Sequence, residues 1–141
     1  MKVIGKARRR VDGRAKVTGQ TKFADDLMLP RMLFCKLLRS PHPHARILTI
    51  DGSNARRAPG VSLVLTGDDF PIPYGIMPVS RDEHALCHGK VRHVGDPVAA
   101  VIAASEWEAA EALKLIEVSY EALPTIHSPE EALRNPATRI H

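Results

Sequence analysis

Val98-Ala99-Ala100-Val101-Ile102-Ala103-Ala104, followed at once by Ser105-Glu106-Trp107-Glu108, is the stretch on which the fold reading turns. An unbroken apolar run of this length predicts a strand buried on both faces, and its small side chains suit close approach by neighbours. Ser105 with Glu108 three residues later is the pattern of a capping box, so a helix is expected from Trp107 to about Leu115. Ala109, Ala112, Leu113 and Ile116 supply that helix with one apolar stripe. Glu117-Val118-Ser119-Tyr120-Glu121 alternates and predicts a further strand. Strand, helix and strand in succession allow a βαβ unit here. Upstream, Val94-Gly95-Asp96-Pro97 predicts a tight turn, with Gly95 expected to let two backbones approach closely.

Working outward, Met32–Arg39 and Ala45–Asp51 read as half-buried strands separated by Ser40-Pro41-His42-Pro43, where the prolines break pairing. Ser53 is expected to cap a short helix reaching Ala58, and Val61–Thr66 predicts another strand. Ser128-Pro129-Glu130-Glu131 is a second capping box with proline at the first helical position. These strands are mostly consecutive, and the pattern lacks the regular alternation of a doubly wound sheet. The fold class is therefore α+β: a mixed sheet with two or three short helices.

Residues 1–22 stand apart. Eight cations (Lys2, Lys6, Arg8, Arg9, Arg10, Arg14, Lys16, Lys22) face one anion, Asp12, so +7 of charge sits here and the remaining residues sum to −3 of the net +4. Glycines interrupt the segment, which predicts an extended basic arm with turns, followed by a single domain over residues 23–141. The basic pI therefore describes the arm. Aromatic residues are only 4% of the chain, too few for the stacking platforms of a nucleic-acid binder, so no nucleic-acid partner is expected. No apolar run is long enough to span a membrane, and two distant cysteines exclude a disulfide scaffold. The expected setting is the cytoplasm, with no membrane partner.

The chemistry-bearing residues do not assemble into a recognisable site. His84-Ala-Leu-Cys87-His88 has half the spacing of a metal site, but four ligands are needed and no CxxC is present. Cys87 reads as a structural cysteine. The acidic pairs Asp25-Asp26, Asp68-Asp69 and Glu130-Glu131 fall at turns and helix starts, where carboxylates cap backbone N–H groups. No catalytic, cofactor-binding or metal-ligating residue is assigned. The long loop over residues 67–90 holds Pro71, Pro73, Gly75 and Pro78 and then a polar run. Loops of this length persist for function or because a neighbour holds them. Arg81, His84 and Lys90 are its candidate contacts to a substrate channel or an adjoining domain.

A family resemblance rests on Lys16-Val17-Thr18-Gly19-Gln20, Phe23-Ala24-Asp25-Asp26, Arg39-Ser40-Pro41-His42-Pro43-His44-Ala45-Arg46-Ile47, Pro59-Gly60-Val61, Val91–Val101 and Val118–Pro124, in that order. The chain resembles the N-terminal a/b hammerhead domain of the molybdenum-binding large subunit of the xanthine dehydrogenase and aldehyde oxidase family. The family usually has Tyr or Phe where this chain has His93. Pro71–His84 is similar to the corresponding loop of the 4-hydroxybenzoyl-CoA reductase α subunit, which removes a phenolic hydroxyl reductively. The resemblance implies a structural domain within a larger oxidoreductase subunit. A molybdenum–pterin cofactor would sit in the domain that follows, with [2Fe-2S] clusters and FAD on partner subunits. The 141 residues alone are then expected to be inactive and to carry no cofactor. Two alternatives stand: a molybdenum hydroxylase of xanthine or aldehyde type, or a stand-alone anion- or protein-binding module without catalysis.

Overall fold

Among the described residues, six strands and four α-helices follow in order: α1 (Gly13–Val17), β1 (Phe34–Arg39), β2 (Ala45–Asp51), α2 (Ser53–Arg56), β3 (Val61–Thr66), β4 (Lys90–Val91), β5 (Pro97–Ala103), α3 (Glu106–Leu113), β6 (Glu117–Ala122) and α4 (Pro129–Arg134). They are seen in a computed structural model that describes residues 4–75, 77–79 and 81–141. The α+β class stands. Its strands form two three-stranded sheets, in the orders β1-β5-β3 and β4-β2-β6, and every pairing is antiparallel.

The apolar run forms the central strand of the first sheet. On one face Ala99, Val101 and Ala103 pack with Ala55 of α2, Val64 of β3 and Ala109, Ala112 and Ile116 on and after α3. Alanines on both sides let helix and sheet approach closely. On the other face Val98 meets Ala45, Cys87 and Val91, with Ile47 and Tyr120 of the second sheet packed around them. Ile50 and Val118 touch both clusters.

The capping box reading of α3 holds at its first half. Ser105 Oγ accepts from the Glu108 N–H at 3.2 Å, while the Glu108 carboxylate accepts from the Ser105 hydroxyl instead of reaching the cap's backbone. Ser128 caps α4 in the same way at 3.1 Å, and Glu131 reaches back to the His127 N–H at 2.9 Å.

Four expectations are corrected. Strands β5 and β6 lie in different sheets, so strand–helix–strand is not a βαβ unit. The thirteen-residue connection is long enough for a crossover, but β6 leaves the first sheet and pairs antiparallel with β2 of the second. Ser53 is the first residue of α2, and Gly52 occupies the cap. Gly95 has φ +90° with open space where a Cβ would stand, so its glycine is required by a left-handed turn, not by close approach. The basic segment contains a helical turn, α1, whose Lys16 pairs with Asp12 at 2.6 Å.

By contact density the chain divides into residues 1–32 and 33–141. The first unit holds α1 and a 3₁₀ turn at Ala24–Asp26, where the Asp26 carboxylate accepts from the Phe23 N–H at 3.0 Å. The second holds both sheets.

The long loop is tied down at its ends. A Cβ on Gly67 would lie 2.2 Å from the Cys87 carbonyl oxygen, so here two backbones do touch. The Cys87 N–H donates to the Pro97 carbonyl at 2.7 Å, and the Ile47 N–H to the Gly89 carbonyl at 2.9 Å. Between these ends Tyr74 and Glu83 exchange backbone hydrogen bonds at 2.7 and 3.0 Å and fold the loop back on itself. Gly67→Ala should therefore push the Cys87 backbone away and cost about 1–3 kcal/mol. Urea denaturation should show a lower midpoint with an unchanged slope; wild-type stability would mean that the contact is not tight.

Candidate functional site

The loop ends on a cleft of about 430 Å³ lined by Tyr74, Glu83, His84, Cys87, Arg92 and Asp96, among others. The turn before β5 shapes one wall. Asp96 accepts from the Arg92 N–H at 2.8 Å and lies 3.4 Å from His93 Nε2. The Ser40 N–H donates to the Asp96 carbonyl at 2.9 Å, and the Gly95 N–H to the Ser40 carbonyl at 2.8 Å, locking this turn to the end of β1. Ser40 is itself buried, its Oγ accepting from the His42 N–H at 3.0 Å. The Ser-Pro-His segment is thus a structural brace. On the other wall Arg92 reaches Asp82 at 3.2 Å, and His141 meets the same carboxylate at 3.1 Å.

The cleft combines apolar walls with charged and polar side chains, and two of its inner nitrogens are unmatched. His84 Nδ1 and Arg92 Nε are buried without a hydrogen-bond partner. Arg92 Nε can only donate, to an acceptor on a bound group, whereas His84 Nδ1 can donate or accept according to its tautomer. Cys87 lines the same cleft, and burial first, then the hydrogen bond and charge of Asp96, push its thiol up to about 12, against a smaller opposite pull from Arg92. It is held as a neutral thiol and is no nucleophile.

The half metal site does not close. His84 and His88 lie ring to ring at 5.7 Å, tilted by 31°, and His88 Nδ1 pairs with Asp68 at 3.1 Å. Among the described residues no three His, Cys, Asp or Glu side chains converge as a metal site would require. The acidic pairs behave as caps: Asp69 accepts from the Thr66 N–H at 2.7 Å, as Asp26 and Glu131 do at their own turns.

The three candidate contacts from the sequence are not brought together. His84 lines the cleft. Lys90 lies in β4 and lines a separate hollow with His44, Arg46 and Arg139. Arg81 is exposed and lines neither. Ile76 and Ser80 of the same loop lie outside the described residues. Sequence reasoning missed Arg92, whose signal was its place at i−4 from Asp96 across a glycine turn, and His44, hidden in a Pro-His-Pro-His run.

Comparisons with known proteins agree on one family. The a/b hammerhead domain of aldehyde oxidase and xanthine dehydrogenase matches residues 18–124. The chain is 46% identical to a probable xanthine dehydrogenase subunit of Bacillus subtilis, over 99% of its own length and 19% of that protein. It is 41% identical to the nicotinate dehydrogenase large molybdopterin subunit of Eubacterium barkeri, over 99% of its length and 33% of that protein. Among solved structures, aldehyde oxidoreductase of Desulfovibrio desulfuricans superposes with a TM-score of 0.87 at 32% identity, covering 99% of this chain and 17% of that one. Quinoline 2-oxidoreductase of Pseudomonas putida gives 0.84 at 39% identity, over 92% and 18%. The chain thus spans about a fifth of the length of several relatives it matches.

The thiols give a direct check of the cleft. Cys35 is exposed on β1 and Cys87 is buried. At pH 8 a thiol reagent should label Cys35 at once and Cys87 only after denaturant is added. Because burial raises the Cys87 value from 9.0 to about 12, the unfolded chain loses this proton first as pH rises. Stability should therefore fall between those two values, and less steeply in Cys87→Ala. Rapid labelling of both thiols in the folded chain would contradict this arrangement.

Proposed function

The chain belongs to the aldehyde oxidase and xanthine dehydrogenase family, as its a/b hammerhead domain, and on that premise we propose that it serves as the N-terminal structural domain of a molybdenum-dependent oxidoreductase subunit. The observation that carries this reading is the outer face of the first sheet. Cys35 and Leu37 of β1, Leu63 and Leu65 of β3 and Ile102 of β5 share one side by register. Leu37 and Leu63 are 38% and 47% exposed. A continuous apolar sheet face is the kind of surface that a larger neighbour covers. Its proposed occupant is the remainder of a longer subunit, since the relatives extend well beyond the matched part.

The molybdenum–pterin cofactor belongs to that remainder in this reading, with iron–sulfur and flavin subunits as further partners. Among the described residues there is no converging ligand set for the metal. What this domain contributes is position: a double sheet with a cleft lined by Glu83, His84 and Arg92, the last paired with Asp82. No helix among the described residues is long and apolar enough to cross a membrane.

For substrate class we propose an aryl-CoA thioester, reductively dehydroxylated as in 4-hydroxybenzoyl-CoA reductase. The support is the likeness of Pro71–His84 to that enzyme's loop, which here folds back through the Tyr74–Glu83 bridge beside the cleft. Arg81, His84 and Lys90 remain its proposed channel or interdomain contacts, at separate places on the surface.

Two measurements separate the structural reading from the substrate reading. Leu63→Asp should leave the melting temperature of the 141-residue chain nearly unchanged, because the site is already exposed. The same change in the full-length subunit should lower molybdenum content in the purified complex several-fold. Unchanged loading would overturn the docking role. In the wild-type complex, reduced viologen should drive turnover of 4-hydroxybenzoyl-CoA. Turnover of xanthine or an aldehyde without any of the aryl-CoA would overturn the substrate assignment alone.

A further inference from the structure

The second hollow, about 340 Å³ and lined by His44, Arg46, Gly89, Lys90, Thr138 and Arg139 among others, lies on the outer face of the β4-β2-β6 sheet. We infer that it is a binding site for the phosphate group of a small molecule, held by Lys90, Arg46 and Arg139 above the imidazole of His44. The inference does not depend on which substrate the complete enzyme takes.

The register puts like charges face to face. Arg46 of β2 stands directly opposite Lys90 of β4 and, on its other side, opposite Glu121 of β6. Like charges directly across a strand pair repel. Glu121 answers one of the two, meeting the Arg46 guanidinium at 2.8 Å. Lys90 turns instead to a neutral acceptor, the Arg139 carbonyl, at 3.3 Å. That contact also brings the segment carrying the Arg139 cation to the rim. Burial, and then the nearby Arg92, pull the Lys90 ammonium below its ordinary value, with Asp82 opposing them. The row thus holds a surplus of positive charge that a doubly charged anion would relieve.

His44 forms part of the lining and is almost wholly buried, 5% exposed. Its Nδ1 lies 2.6 Å from the Pro124 carbonyl, which can only accept, so Nδ1 carries the proton. Nε2 is buried with no partner. A buried unmatched nitrogen beside a surplus of cations can accept from a protonated phosphate oxygen, or donate to an ionised one once the ring is protonated. The donors also suit the geometry of phosphate, with a planar guanidinium fork and a point-charge ammonium on adjacent strands.

The test titrates the 141-residue chain with inorganic phosphate at constant ionic strength set with chloride, following histidine ring signals by NMR. The expected result is a saturable shift of the His44 ring, absent with chloride alone. Lys90→Gln should weaken phosphate binding roughly tenfold or more, as losing one charged hydrogen bond does. Arg139→Gln, outside both sheets, should weaken it without any risk to the fold. Arg57→Gln, at an exposed cation after α2, should bind like wild type. A shift that never saturates, or one unchanged in both Lys90→Gln and Arg139→Gln, would overturn the site.

Discussion

The seven residues of β5 must bury both of their faces, and the rest of the molecule is arranged to let them. One face is closed by α3 and α2 through alanines, the other by Val91, Ala45 and Cys87 around Val98. Val98, Ala99, Val101 and Ala103 are each fully buried, so both faces of the strand are covered along most of its length. A strand of this kind cannot sit at an edge, so β1 and β3 flank it. Because Val98 points into the second sheet, the two sheets cannot separate without exposing that side chain to water. Only toward Ile102 does the outer face open, and there the apolar surface is left uncovered.

The polar features follow from where β5 begins. Its turn carries Asp96, which fastens Arg92 and Ser40 to one point and sets the wall of the larger cleft. Cys87 is buried by the same packing, and its neutral thiol is a consequence of that burial. Lys90, one residue before the core position Val91, is forced onto the outer side of its strand, opposite Arg46. The like-charge row is thus fixed by the alternation of β4, whose inner residue the core cannot release. The same domain therefore presents an apolar face suited to a protein neighbour and a cationic hollow suited to a small anion, on different sheets.

Much of this was legible in the residues. The buried run, both serine caps, the strands at Ala45–Asp51 and Val61–Thr66 and the capping role of the acidic pairs follow from local chemistry. The partition into two sheets was not legible. A βαβ unit and a switch between sheets share one local pattern, and the choice depends on β6 finding β2, some seventy residues earlier in the chain. The close approach expected at Gly95 occurs instead at Gly67, while Gly95 serves a positive φ, since close approach is a tertiary fact and a glycine's φ is not written in its neighbours. Arg81, His84 and Lys90 were grouped by sequence proximity, but a loop that folds back through Tyr74 and Glu83 sends them to different surfaces.

The central claim is that β5 couples both sheets into one cooperative unit, and native-state hydrogen exchange tests it most directly. The amides of Val98–Ala103 and those of β2 and β6 should open with the same free energy, equal to that of global unfolding, and share one denaturant dependence. If the β4-β2-β6 sheet instead exchanges through a separate opening at markedly lower free energy while β5 stays protected, the sheets are independent. The double burial of β5 would then not be what holds the molecule together.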